Sequence, residues 1–311
     1  MDTLWYLGKL ALSLAVGSFF AKAVGKDRFV RTAALAQMLL VWALLFFMGV
    51  NTASIEGIGE QLSSIGLGAL VLTVCALGGT IVIALLFLPL YSKERGIAIA
   101  KRKEGSTLRQ VWDVMKEPAI LIGIVILGMI ARLGTPFFGW FDSSLVSILL
   151  YLLLFFVGMQ VVQLQVSFKG IFTNKALILL PAVTIVGTYL GAAVAALLLP
   201  YTLQETMGML SGFGWYSLSG VMIGDLGYPI LGSISFLSNL LRESFTFFLI
   251  PLFGRLGRRF YPAALCSGGA TTMDVTLVLL SNHFGMQTMV LSIFHGVVMS
   301  FSAPLLIPLF F

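Results

Sequence analysis

Apolar residues in this chain come in blocks long enough to cross a bilayer. A spanning helix needs roughly 20 consecutive apolar residues. Such runs lie at about 4–21, 33–51, 66–90, 119–133, 144–166, 176–199, 231–254 and 287–310. Two further apolar stretches, about 208–228 and 262–282, are broken by Gly and Ser. Of the 311 residues, 59% are hydrophobic and 10% charged, where soluble domains hold roughly 45–50% and 25%. Lipid offers no hydrogen-bond partners, so the spanning backbone must satisfy itself. The pattern therefore predicts an all-α polytopic membrane protein in a single transmembrane domain. It has eight spans plus two discontinuous, re-entrant segments; the alternative is ten elements with broken crossing helices. No cleavable leader is expected, because Leu4–Ala21 follows Asp2 and not a basic stretch. Trp5 and Tyr6 suit an interfacial belt. Cys75 and Cys266 have no metal-ligand spacing around them and read as small packing residues. No metal or cofactor is expected.

Lys and Arg set the orientation. Loops 22–31, 92–118, 167–175 and 255–261 hold 16 of the 19 basic residues, which places them in the cytoplasm. The opposite loops hold Glu56, Glu60, Asp142 and Glu205, with Arg132 as their basic member. Both termini are then outside, and the compartment is a bacterial or archaeal inner membrane. Basic residues confined to short loops explain the net charge of +6 without nucleic acid. The sixth run must end outside near Pro200, and 231–254 must start outside. The stretch 208–228 is too short for two crossings, so it enters and returns on one side. The same logic makes 262–282 re-entrant from the cytoplasm.

The chain carries an internal echo. Leu44-Leu45-Phe46-Phe47-Met48-Gly49-Val50-Asn51 recurs as Leu153-Leu154-Phe155-Phe156-Val157-Gly158-Met159-Gln160, 109 residues later. Each copy sits in the middle span of a trio. Residues 1–100 and 101–200 then form two units of three spans, inverted in the membrane, and 201–311 a core with both broken segments. Inverted repeats with interrupted helices mark secondary transporters.

Two carboxylates fall inside apolar runs. Glu243 lies near the middle of Leu231–Phe253, and Asp274 follows the break Ser267-Gly268-Gly269-Ala270-Thr271-Thr272. An ionisable group at bilayer depth costs at least ~2.5–3.5 kcal/mol on insertion scales, so each faces a cavity or a partner. A buried ion pair or helix cap is the bland alternative. Asn239, Glu243 and Thr246 share one helix face. Arg242 could clamp Glu243, Asp274 or Asp225. His295 is either a proton carrier or a helix–helix hydrogen-bond donor. Trp215 and Tyr216 could wall an ammonium group by cation–π contact, or anchor at the interface. Gly187 and Gly191 read as helix packing, and His283 as a surface residue. Half-helix N-termini favour a substrate carboxylate, for which Gly268, Gly269, Thr271 and Thr272 supply N–H groups and hydroxyls. Glu243 and Asp274 supply negative charge for an amine. Together they describe a site for a zwitterion with an extra positive charge.

The elements Gly212-Phe213-Gly214-Trp215-Tyr216-Ser217-Leu218-Ser219-Gly220, Asn239 with Arg242-Glu243, Gly268 to Asp274, and His295-Gly296 resemble, in order and spacing, the lysine exporter family LysO. The resemblance is strongest over about 205–305 and collinear before that. It implies export of L-lysine and toxic lysine analogues from bacteria, with the family's intramembrane acidic positions at Glu243 and Asp274. It also implies kinship with folds that contain broken crossing helices. The stretch Met222-Ile223-Gly224-Asp225-Leu226-Gly227 departs from the pattern, so no role passes to Asp225. The implied partners are L-lysine and its analogues, protons, the bilayer and, as an assembly option, a second copy in a homodimer. Exchange with protons is the expected mode. A cation/proton antiporter or channel is the runner-up. An intramembrane hydrolase using Ser217 or Ser219 with His295 as base leaves Glu243, Asp274 and the repeat unexplained, and the chain is not expected to be an enzyme.

Overall fold

The computed structural model describes residues 3–25, 29–54, 58–93, 108–141, 144–163 and 175–311. Lys26, Arg28, Glu56, Arg95, Lys101, Arg102, Lys103, Asp142 and Lys169, on which the orientation partly rests, lie outside the described residues. The described chain is all-helical. Its first six helices are α1 (Thr3–Val24), α2 (Val30–Ala53), α3 (Ile58–Lys93), α4 (Leu108–Gly134), α5 (Ser144–Gln163) and α6 (Lys175–Leu198). Six more follow: α7 (Leu203–Leu210), α8 (Tyr216–Asp225), α9 (Pro229–Leu256), α10 (Tyr261–Gly268), α11 (Leu277–Phe284) and α12 (Met289–Leu306). Among them, α2, α3, α5, α6, α9 and α12 contain spans long and apolar enough to cross a membrane. The apolar part of α4, Ala119–Gly134, is shorter.

Glycine sets how the first six helices meet. A Cβ on Gly17 of α1 would lie 1.9 Å from the Phe155 carbonyl oxygen of α5, and one on Gly158 of α5 would lie 2.2 Å from that of Leu14. The α2–α4 contact repeats this arrangement. A Cβ on Gly128 would lie 2.1 Å from the Phe46 oxygen, and one on Gly49 2.1 Å from the Val125 oxygen. α3 and α6 cross through Gly79, Gly187 and Gly191, and there the Thr80 and Thr188 hydroxyls meet at 3.2 Å. Gly187 and Gly191 therefore pack a helix pair, as their spacing suggested.

The last six helices build two hairpins and two long helices. Thr202 and Glu205 form a capping box that starts α7. The Gln204 amide donates to the Phe310 carbonyl at 2.9 Å. Tyr228, just past α8, lies 5.1 Å ring to ring from Phe311. So α7 begins and α8 ends at the same end of the molecule. The second pair does likewise at the other end: Tyr261, opening α10, packs on Phe284, closing α11, at 5.3 Å. Gly254 at the far end of α9 abuts His283. The ends are opposite because α9 runs between them for 28 residues, about 42 Å at 1.5 Å per residue. The tips meet midway, where the Ala270 N–H donates to the Phe213 carbonyl at 2.9 Å.

Candidate functional site

The two tips meet where the backbone turns tightly through the left-handed region, with a glycine on each tip. Phe213 (φ 49°) and Gly214 (φ 97°) turn the first hairpin, and Gly269 (φ 59°) turns the second. A Cβ on Gly269 would stand 2.1 Å from the Phe213 carbonyl oxygen. Breaking a helix at depth leaves carbonyl and N–H groups that need partners, and α9 supplies many of them.

Asn239 serves the first break. Its Oδ1 accepts from the Gly214 N–H at 2.7 Å. Its Nδ2 donates to the Met209 carbonyl at 3.0 Å, the Ser219 hydroxyl at 3.1 Å and the Ser235 carbonyl at 2.9 Å. One fully buried amide thus ties the end of α7, the turn and α8 to α9. Arg242 serves the second break. Its Nε donates to the Ser267 carbonyl at 3.2 Å and its Nη2 to the Cys266 carbonyl at 3.1 Å. Its Nη1 donates to the Thr188 hydroxyl of α6 at 3.0 Å. A cation on the last carbonyls of a helix is favoured by the hydrogen bonds and by the helix dipole. Thr246 adds a bond to the Ser267 carbonyl at 3.2 Å. Arg242, read from the sequence as a clamp for carboxylates, thus has the end of α10 and Thr188 as named partners.

Glu243 is 3% exposed, one turn from Asn239 and on the side of α9 that bears Asn239 and Thr246. It therefore lies at the level of the tips. Asp274 sits just beyond the second tip and is exposed, its Oδ1 accepting the Val275 N–H at 2.6 Å. Thr271 and Thr272 are buried, and their hydroxyls bond back to the Gly268 and Gly269 carbonyls, each at 2.9 Å. Gly268 is pressed on Thr272 and Thr276. Ser217 is buried in the first turn of α8, while Trp215 and Tyr216 before it are half-buried. Tyr216 packs edge-on against Phe236 at 5.8 Å.

His295 of α12 is fully buried, with one ring nitrogen 2.8 Å from the Thr184 hydroxyl and the other 3.0 Å from that of Thr272. It joins α6, the second tip and α12. Thr184 and Thr188 were missed in reading the sequence. Two threonines four residues apart in an apolar span were the available signal, because their shared face needs polar neighbours.

The same chain elements match known proteins. The model of the family "Lysine exporter LysO" matches residues 121–311. The protein "Lysine exporter LysO" of Escherichia coli (strain K12) is 31% identical over 271 residues, covering 87% of this chain and 88% of its own. A "Putative lysine exporter" of Haemophilus influenzae is 32% identical over 194 residues, covering 62% of this chain and 94% of its own.

Proposed function

The chain belongs to the family of the lysine exporter LysO, and on that premise we propose that it exports L-lysine and cationic lysine analogues in exchange for protons. The membrane is a bacterial or archaeal inner membrane. Eight helices cross it, α1 to α6 with α9 and α12, and the α7–α8 and α10–α11 hairpins re-enter from opposite faces. The shared ends of each hairpin support this count over broken crossing helices. Arg255, Arg258 and Arg259 mark the Tyr261 end as cytoplasmic, so Phe311 is outside. The matched glycine contacts of α1 on α5 and of α4 on α2 support inverted repeats over 1–100 and 101–200.

The observation that carries the reading is the junction of two hairpin tips beside a buried carboxylate. Glu243 receives the substrate ammonium or the coupling proton, and Asp274 works with it from the second tip. The N-terminal turn of α8, at Tyr216 and Ser217, holds the substrate carboxylate with its N–H groups and dipole, and Trp215 and Tyr216 flank the cation. Gly268, Gly269, Thr271 and Thr272 shape the second tip. Asn239, Arg242 and His295 hold the breaks in place around the substrate.

The test is counterflow of labelled lysine in proteoliposomes. Wild-type protein should exchange lysine, and Glu243→Gln, which keeps the shape and removes the charge, should lower the rate at least a hundredfold. This is the order expected when a buried charge-assisted contact of about 3 kcal/mol is lost. Wild-type exchange by a well-folded Glu243→Gln protein would remove Glu243 from the mechanism. A monodisperse wild-type protein without lysine counterflow would sink the lysine reading.

A further inference from the structure

A second polar site lies away from the hairpin tips, at the Phe311 end. There α8 ends at Asp225, beside a small cavity of about 20 Å³ bordered by Asn51 and Thr52 of α2, Ser233 of α9 and the Met48 and Val221 side chains. Contacts between glycines bring α8 close to α9: a Cβ on Gly232 would lie 2.6 Å from the Gly220 carbonyl oxygen. Ser233 is 10 residues from Glu243 on α9, about 15 Å along the helix, so this is not the central site.

The hydrogen bonds around the cavity leave it rich in acceptors. The Ser147 hydroxyl donates to Asp225 Oδ1. The Ser233 hydroxyl donates to the Pro229 carbonyl at 2.9 Å and lies 2.9 Å from Thr52 Oγ1. With its own proton on Pro229, Ser233 takes the proton of Thr52. Thr52 and Ser233, which line the cavity, have then given their protons away and can only accept there. The second Asp225 oxygen has no hydrogen-bond donor among the described residues, and the Asn51 side-chain amide has no partner among them. Asn51 reaches the cavity, its Nδ2 lying 3.9 Å from the Cβ position of Gly224. One negative charge among several acceptors suits a group with positive charge and several donors. A primary ammonium has three N–H donors and no acceptor. The space fits a head group of about the size of one water, and Met48 and Val221 offer an apolar wall for a methylene stem. A metal ion fits less well, because no group of three metal-binding side chains occurs among the described residues.

We infer that the Asp225 cavity binds a primary alkylammonium group and is the last contact of a cationic substrate before it leaves at the outer face. The direction of travel rests on the proposed export reading; the binding does not. The test is calorimetric titration of purified full-length protein with n-pentylammonium. It is done in the Glu243→Gln, Asp274→Asn background so that neither central carboxylate contributes. Binding is expected there, and adding Asp225→Asn should weaken it roughly tenfold or more. Neutral n-pentanol should not compete. Asp225→Asn keeps the side-chain size; should it fail to fold, Asn51→Leu carries the test with a weakening in the same direction. Absence of n-pentylammonium binding, or equal binding with and without Asp225, overturns the site. Displacement by sodium chloride but not by choline chloride of equal strength also overturns it, in favour of an inorganic cation. Lysine counterflow by the wild-type protein is measured separately, so failure of the export reading shows as no counterflow with n-pentylammonium binding intact.

Discussion

At the scale of single residues, Arg242 has two possible jobs, and its hydrogen bonds favour one. A guanidinium 1% exposed would be costly without partners. It has three, on Cys266, Ser267 and Thr188, and the first two are carbonyls at the end of α10. Arg242 is thus a clamp on a broken helix. Arg242→Met should leave those carbonyls without their donor and cost about 2–4 kcal/mol, read as a melting temperature several degrees lower in detergent. Arg242→Lys should recover part of this, because an ammonium is a point donor without the planar fork. Unchanged melting of Arg242→Met with lost lysine exchange would instead put Arg242 on the substrate. The sequence made much of this neighbourhood legible. Helical spacing put Asn239, Glu243 and Thr246 on one face, and depth made Glu243 suspicious. The identity of Arg242's partners was hidden, because carbonyls at positions 266 and 267 become acceptors only after α10 is broken and folded against α9.

At the scale of elements, the two hairpins depend on one backbone contact between their tips. Gly269 is held at φ 59°, a conformation costly for other residues, and also lies against the Phe213 carbonyl. Gly227 has a similar positive φ of 101° but nothing within 4 Å of its Cβ position. The pair separates strain from contact. Gly227→Ala should cost about 1–2 kcal/mol from conformation alone, with exchange retained. Gly269→Ala adds a clash with rigid backbone, so the tips must part, and lysine exchange should fall to background while helical content persists by circular dichroism. Equal effects of both substitutions would show that the tip contact does not matter. Gly and Ser in 211–220 and 267–274 pointed to two interruptions, and loop charge was the ground for expecting each to re-enter on its own side. That the tips touch each other lay beyond the sequence, since nothing in either stretch encodes the distance between them. The pocket at Asp225 was equally hidden, being assembled from α2, α5, α8 and α9.

At the scale of the whole molecule, orientation and energy coupling follow from where charge is placed. Reporter fusions at Phe311 should give an outside signal, because the α9 end that carries Arg255, Arg258 and Arg259 is opposite to the Phe311 end; a cytoplasmic signal would require a different number of crossings. In the proposed exchange, coupling turns on Glu243 and Asp274. In that proposal Glu243 is buried and Asp274 lies exposed at the tip, and an empty site that holds both negative charges is disfavoured by their repulsion. On this proposal a lysine ammonium entering from the cytoplasm compensates that charge and displaces a proton. At the outer face a proton returns, the carboxylate is neutralised and the cation leaves. One site that holds either the cation or the proton gives antiport by mutual exclusion. Three of the five Arg242 N–H groups are engaged by the Cys266 and Ser267 carbonyls and the Thr188 hydroxyl, so the proposal assigns the exchange to Glu243 and Asp274. Acidifying the outside should therefore speed efflux of preloaded lysine, and adding lysine on one side should move protons the other way, followed with a pH dye inside the liposomes. Asp274→Asn should leave one exchangeable carboxylate and weaken the dependence of efflux on the pH gradient. Vigorous lysine counterflow with no proton movement anywhere between about pH 5 and 8 would reduce the protein to a uniporter.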